Sequence, residues 1–214
     1  MSHASSPATN AHPTIRAMSG ASPLAELDAR GTALLVIDFQ NEYFSGRMPI
    51  PAGEAALRNT QQLVAWADKH AIPVFQVQHV APEGSALFAL GGATVAFHPQ
   101  MQPRAGDVLV RKENVSVFVG TDIHAQLQQR GIRTLVIAGL MTHACVAGAA
   151  RDAAPLGYQV IVASDACATR GITRFDGESV DHEALHRAAL AEIEDTFGDV
   201  LRSSDILALP LRMP

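Results

Sequence analysis

The feature that most constrains this chain is a rhythm: short, almost wholly apolar runs alternate with longer segments whose apolar residues recur at helical spacing. "TALLVIDF" (from Thr32), "PVFQVQH" (from Pro73), "DVLVRK" (from Asp107), "RTLVIAG" (from Arg133) and "QVIVASDA" (from Gln159) read as buried strands. Between them lie "EAALRNTQQLVAWADKH" (from Glu54), with Ala56, Leu57, Thr60, Leu63, Val64 and Ala67 at helical spacing, then "TDIHAQLQQRG" with Thr121 as its cap, and "HACVAGAARDAAPLG". A last helix, "DHEALHRAALAEIEDTFG", leads into the short apolar end "DVLRSSDILAL". Strands apolar on both faces and separated by helices belong to a parallel sheet covered on both sides. The expected fold is α/β, a three-layer α/β/α sandwich around a parallel sheet of about six strands.

A chain of 214 residues suits one domain of this kind, expected over residues 24–214. Residues 1–23 are rich in Ser, Ala, Pro and Thr, lack the apolar core of a secretory signal, and read as a disordered tail. The net charge of -5, with Lys and Arg scattered, excludes the basic footprint of a nucleic-acid binder. No apolar run reaches the length of a membrane span, so no membrane association is expected. Two cysteines make no disulfide framework and suit a reducing compartment, with the cytoplasm as the default. One stretch, Val80 to Gly106, is a long connection rich in proline and glycine, and long loops in compact domains are often functional.

Open parallel sheets bind ligands outside the carboxyl ends of their strands, where the strand order reverses. Three polar residues stand at such ends: Asp38, Lys112 and Cys145. Singly they read as a loop cap, a solvated charge and a small core residue. Together they make a mechanism. A helix start and a nearby ammonium are expected to lower the pKa of the Cys145 thiol, Asp38 can act as general base and then acid, and Lys112 can hold both in register. The helix start also offers backbone N–H groups to an oxyanion. No G-x-G-x-x-G follows a strand, which argues against a dinucleotide-binding module. His79 and His98 have no zinc-type spacing, and no metal or cofactor is expected.

The segments "VIDFQNEYF", "VRKENVSVFVGTDI" and "AGLMTHACVAGAARDAAPLGYQVIVASDACATR" resemble the isochorismatase-like cysteine hydrolases, and the resemblance runs from about Thr32 to the last strand. It implies a six-stranded Rossmann-like sheet and an Asp, Lys, Cys triad on Asp38, Lys112 and Cys145. It also implies a non-proline cis peptide between Leu140 and Met141 that turns the Met141 amide into the site. Met141 N–H and Cys145 N–H then form the oxyanion hole, and the Thr142 hydroxyl holds the turn or caps the helix. The Asp-x-His metal motif of nicotinamidases is missing, since this chain reads "QNEYFSGRMPIPAG" there. Isochorismatases that cleave a vinyl ether usually lack the cysteine, so Cys145 favours hydrolysis of a C–N bond in an amide, carbamoyl or ureido group of a small molecule through a thioester. The alternatives are vinyl-ether hydrolysis and a non-enzymatic thiol sensor, in which Cys145 is oxidised.

Segments adjoining the triad supply the candidate substrate contacts Gln40, Phe44, His79, Phe97, Phe118, Thr142 and His143. Cys167 reads as a small packed residue, and Gly148, Gly157 and Gly171 as turn or close-packing positions. The resemblance also implies a homo-oligomer, dimer or tetramer, with the Val80 to Gly106 loop lining its own pocket or a neighbour's.

Overall fold

The computed structural model describes residues 12–213. Six strands, β1 (Thr32–Ile37), β2 (Val74–His79), β3 (Val108–Lys112), β4 (Thr134–Leu140), β5 (Gln159–Ala168) and β6 (Asp199–Leu201), form one sheet in the order β3-β2-β1-β4-β5-β6. Every pairing in it is parallel. The helices are α1 (Gly53–Lys69), α2 (Ile123–Gln129), α3 (Ala147–Ala153), α4 (His182–Thr196) and α5 (Ser203–Ala208). The expected three-layer α/β/α architecture is therefore the observed one. No helix among the described residues is long and apolar enough to cross a membrane.

The alternation of side chains along β1 divides the core. Leu34 and Val36 pack on one face with Leu57, Leu63 and Trp66 of α1 and Ile206 of α5. Ala33, Leu35 and Ile37 pack on the other with Ile123 and Leu127 of α2, Ala147 and Ala150 of α3 and Ile193 of α4. Every residue of β1 is buried, which is why its sequence shows no polar alternation. From β1 the chain crosses to β2 on one side and later to β4 on the other, so a crevice opens between the carboxyl ends of β1 and β4.

Gly139 sets the width of that crevice. It pairs with Ile37, has φ +155°, and a Cβ there would lie 2.5 Å from the Ile37 carbonyl oxygen. Only glycine lets the two central strands approach this closely. Between Ile137 and Gly139 the register with β5 shifts: Ile137 pairs with Val162 but Gly139 with Cys167. The residues looped out in between carry β5 to Ala168, further than its apolar run suggests, and the next residue, Thr169, meets His143 of the turn after β4.

The connection after β2 is organised, because it folds back over the end of β1. Asn41 N–H donates to the Ala96 carbonyl (2.9 Å), Glu42 N–H to the Thr94 carbonyl (2.9 Å) and His98 N–H to the Phe39 carbonyl (2.8 Å). The N-terminal tail is docked where it is described. Ile15–Met18 forms a helical turn capped by Thr14, and Arg16 pairs with Asp199 at 2.7 Å while also donating to the Gly198 carbonyl. Those contacts, unforeseeable from a Ser/Ala/Pro composition, hold residues 14–16 against β6; residues 1–11 of the expected tail lie outside the described residues.

Replacing Gly139 by alanine should cost about 2–4 kcal/mol, combining overpacking with a backbone conformation unsuited to a side chain. Urea unfolding of Gly139→Ala measures this, and a loss below about 0.5 kcal/mol would show that β1 and β4 can separate freely.

Candidate active site

At the end of β1 the chain leaves the sheet through Asp38, which adopts φ +57°, a left-handed conformation uncommon for a side chain other than glycine. Its N–H still donates to the Val77 carbonyl at 3.0 Å, so the backbone turns while anchored to β2. Lys112 ends β3 and reaches across β2 into the crevice. Cys145 follows β4 in a π-type turn, Thr142–Val146, that runs directly into α3; Val146 N–H bonds to the Met141 carbonyl at 3.2 Å. The peptide bond between Leu140 and Met141 is cis. Such π turns recur where a helix must present a functional side chain. Gly148 lets α3 sit against the loop after β3, since a Cβ there would lie 3.2 Å from Val115 Cγ1.

The three side chains meet, and a fourth joins them. Lys112 Nζ lies 2.8 Å from Asp38 Oδ2, 3.2 Å from Cys145 Sγ and 2.8 Å from His79 Nδ1. An ammonium has three N–H donors, and here each has an acceptor. Asp38, His79 and Cys145 also bring one potential metal-ligand atom each to within 4.8 Å of one another. Lys112 hydrogen-bonds to the same three side chains, so the cation this cluster is built around is its own lysine. Asp38 and Lys112 are both fully buried, and Asp38 Oδ1 has no hydrogen-bond partner among the described residues.

The electrostatics correct one expectation. Cys145 is only 4% exposed, and burial, then the Asp38 carboxylate, push its thiol up to about 12, outweighing the Lys112 ammonium. The thiol is therefore neutral at rest. Burial works against the charge on Lys112 as well, but Asp38 and the thiol more than offset it, so the ammonium stays protonated. Burial and then the Lys112 charge hold His79 below the ordinary histidine range, leaving a neutral ring whose Nδ1 accepts from Lys112.

The candidate substrate contacts sort differently from expectation. Gln40 is fully buried; it donates to the His79 carbonyl (2.8 Å) and the Val95 carbonyl (2.7 Å) and accepts from His79 N–H (2.8 Å). With both amide protons engaged, it clamps His79 to the loop, a positioning role in place of the expected substrate contact. Phe97 is buried opposite Gln40 in an isolated bridge, and Phe44 stacks 4.4 Å from the His98 ring. Phe118 is half-buried and packs against the core under α2 and α3, its ring 6.0 Å from Tyr158, so packing accounts for it. The Thr142 hydroxyl meets His186 Nδ1 of α4 at 2.8 Å and caps nothing, and His143 Nδ1 meets the Thr169 hydroxyl at 2.6 Å. Cys167 is a buried packing residue whose thiol burial pushes up to about 12.

Two neighbours went unread in the sequence. Tyr43 is buried, and its hydroxyl is held well above its usual range by burial first, with Cys145 and Asp38 acting in the same direction. Arg170 follows Thr169, and its charge acts on both Tyr43 and His143. Among the described residues it has no carboxylate partner: Nη1 donates to the Gly171 carbonyl at 3.0 Å and Nε is buried without a partner. A tyrosine in the turn after one strand and an arginine after another give no signal in a single sequence.

Comparison with known proteins places the chain in a family. The isochorismatase domain family matches residues 32–205. The chain is 33% identical to the secreted isochorismatase effector Isc1 of Verticillium dahliae, over 90% of this chain and 98% of that protein. It is 30% identical to the ureidoacrylate amidohydrolase RutB of Methylobacterium radiotolerans, over 90% and 85%, and 28% identical to the maleamate amidohydrolase of Pseudomonas putida, over 83% and 86%. A crystal structure of an isochorismatase from Pseudomonas putida KT2440 superposes with a TM-score of 0.84 at 27% identity, covering 91% of this chain and 98% of that one. A crevice at the strand-order reversal, an acid, a lysine and a cysteine on three strand ends, and a match over most of the domain converge: the chain belongs to the isochorismatase domain family.

Proposed function

We propose that this protein hydrolyses a C–N bond in a small amide, carbamoyl or ureido compound that carries a carboxylate, with Cys145 as nucleophile. The observation that carries the reading is the contact of Lys112 Nζ with both Asp38 and Cys145, which couples a buried thiol to a carboxylate. Because the thiol is neutral at rest, the proton must leave as the bond to carbon forms. Asp38 takes the Sγ proton while Sγ attacks the carbonyl carbon. The C–N bond breaks and Asp38 returns that proton to the leaving nitrogen. Water then adds to the thioester, giving one proton to Asp38; the C–S bond breaks, the acid departs, and Sγ is protonated again.

The oxyanion of each tetrahedral intermediate falls to backbone N–H groups at the turn before α3. Met141 N–H donates to no group among the described residues, and Cys145 N–H is its neighbour in the same turn. Arg170 supplies the recognition of the acid. A half-buried guanidinium without a carboxylate partner among the described residues, its charge felt by His143 and Tyr43, is suited to a planar anion. Two relatives are named for ureidoacrylate and maleamate, both small acids bearing such a nitrogen. Another relative is named an isochorismatase, which keeps vinyl-ether cleavage as the competing reading.

An ammonia-release screen over ureido acids, monoamides of dicarboxylic acids, their neutral carboxamide counterparts and nicotinamide, run beside isochorismate, separates the two. The acids bearing a C–N bond should turn over, and Cys145→Ala should lose about 10³-fold or more. Turnover of isochorismate alone, or full activity of Cys145→Ala, would overturn the reading. Arg170→Leu should weaken kcat/KM for the acids about 10- to 100-fold and leave the neutral counterparts nearly unchanged.

The neutral thiol gives a pH prediction. Since Cys145 is pushed up to about 12, its alkylation by iodoacetamide should be slow near neutrality and should climb through alkaline pH without levelling. A plateau reached below pH ~8 would mean a preformed thiolate.

A further inference from the structure

His79 lies at the centre of the site without a part in the reaction just described. Its Nδ1 is 2.8 Å from Lys112 Nζ, and its backbone N–H and carbonyl are both held by the Gln40 side chain at 2.8 Å. The Phe88 ring packs against it at 4.7 Å. Gln40 in turn donates to the Val95 carbonyl, so the loop after β2 and the end of β1 together hold the His79 backbone, from which the ring extends between Phe88 and Lys112. The ring held in this way presents Nδ1 to the ammonium.

We infer that His79 is a positioning residue: by taking the third N–H of Lys112 it fixes the ammonium so that the other two point at Asp38 and Cys145. The reason is geometric. Lys112 ends on a flexible stem whose ammonium rotates freely, and the position is 1% exposed, so water cannot readily fill an empty acceptor place. Without Nδ1 one buried donor has no partner, and the ammonium turns or shifts to find one, loosening its contacts with the carboxylate and the thiol. Around the ring stand Lys112 from β3, Asp38 after β1, Cys145 after β4 and Glu113 beyond β3. Only the lysine is a donor to it, so the neutral ring is the form that works.

This inference rests on Cys145 being the nucleophile, and its test uses two variants and two assays. His79→Leu fills the space without an acceptor, while His79→Asn places an amide oxygen near the position of Nδ1. On a substrate found by the ammonia screen, His79→Leu should lower kcat about 30-fold with KM within about threefold, and His79→Asn should recover most of that loss. Iodoacetamide alkylation of Cys145 at pH 8.5, read by mass spectrometry of the peptide, should slow about fivefold or more in His79→Leu and return towards the wild-type rate in His79→Asn. Should His79→Leu not fold, His79→Ala carries the same comparison. Equal losses in the leucine and asparagine variants would reduce His79 to packing and overturn the inference, as would wild-type kcat and alkylation in His79→Leu. If no amide or ureido compound turns over, the alkylation rates alone decide, so failure of the proposed reaction and failure of this role are told apart.

Discussion

A lysine ammonium buried at the edge of a parallel sheet is the interaction on which the site depends. Removing such a charge from water costs several kcal/mol, and it is tolerated only where its donors are matched and an opposite charge stands close. Lys112 has both: Asp38 at 2.8 Å as counter-ion, and Cys145 and His79 as the remaining acceptors. These four groups come from the ends of β1, β2 and β3 and from the turn after β4. The arrangement therefore exists only when the central strands are in register. The close approach of β1 and β4 at Gly139 and the clamp of Gln40 on His79 both serve that register.

The same burial decides how the site can work. A thiol surrounded by apolar side chains and facing a carboxylate is not a standing thiolate, despite the ammonium beside it. In the proposed reaction the proton leaves Sγ as it attacks, and Asp38 is the base beside it. Keeping the thiol neutral also protects it from oxidation, which proceeds through the thiolate. This weighs against a redox-sensing role on the same fold. In the proposed reading Arg170, which has no carboxylate partner among the described residues, holds the acid end of the substrate.

Much of this was legible in the sequence, and the limits are instructive. The strand and helix alternation gives the three layers because burial on both faces leaves its mark on every residue of β1. Asp38, Lys112 and Cys145 are visible as polar residues where apolar runs stop. What the sequence hid depends on contacts between distant segments. The connection after β2 has no periodicity because its order comes from hydrogen bonds to Phe39, Gln40, Asn41 and Glu42. Gln40 looked like a substrate contact because its polarity was visible while its partners, His79 and Val95, were not. The Cys145 thiol was misread as acidified because the ammonium could be seen in the sequence, whereas depth of burial is a property of the assembled fold.

The central claim is that Cys145 forms a covalent bond to the acyl group of its substrate. Rapid-quench mass spectrometry of the protein mixed with a ureido acid that it turns over measures this directly. The account predicts an adduct of the acyl fragment's mass that appears within the first turnover, maps to the peptide containing Cys145 and decays as product accumulates. Turnover with no adduct at Cys145, or with the acyl group on another residue, would contradict it.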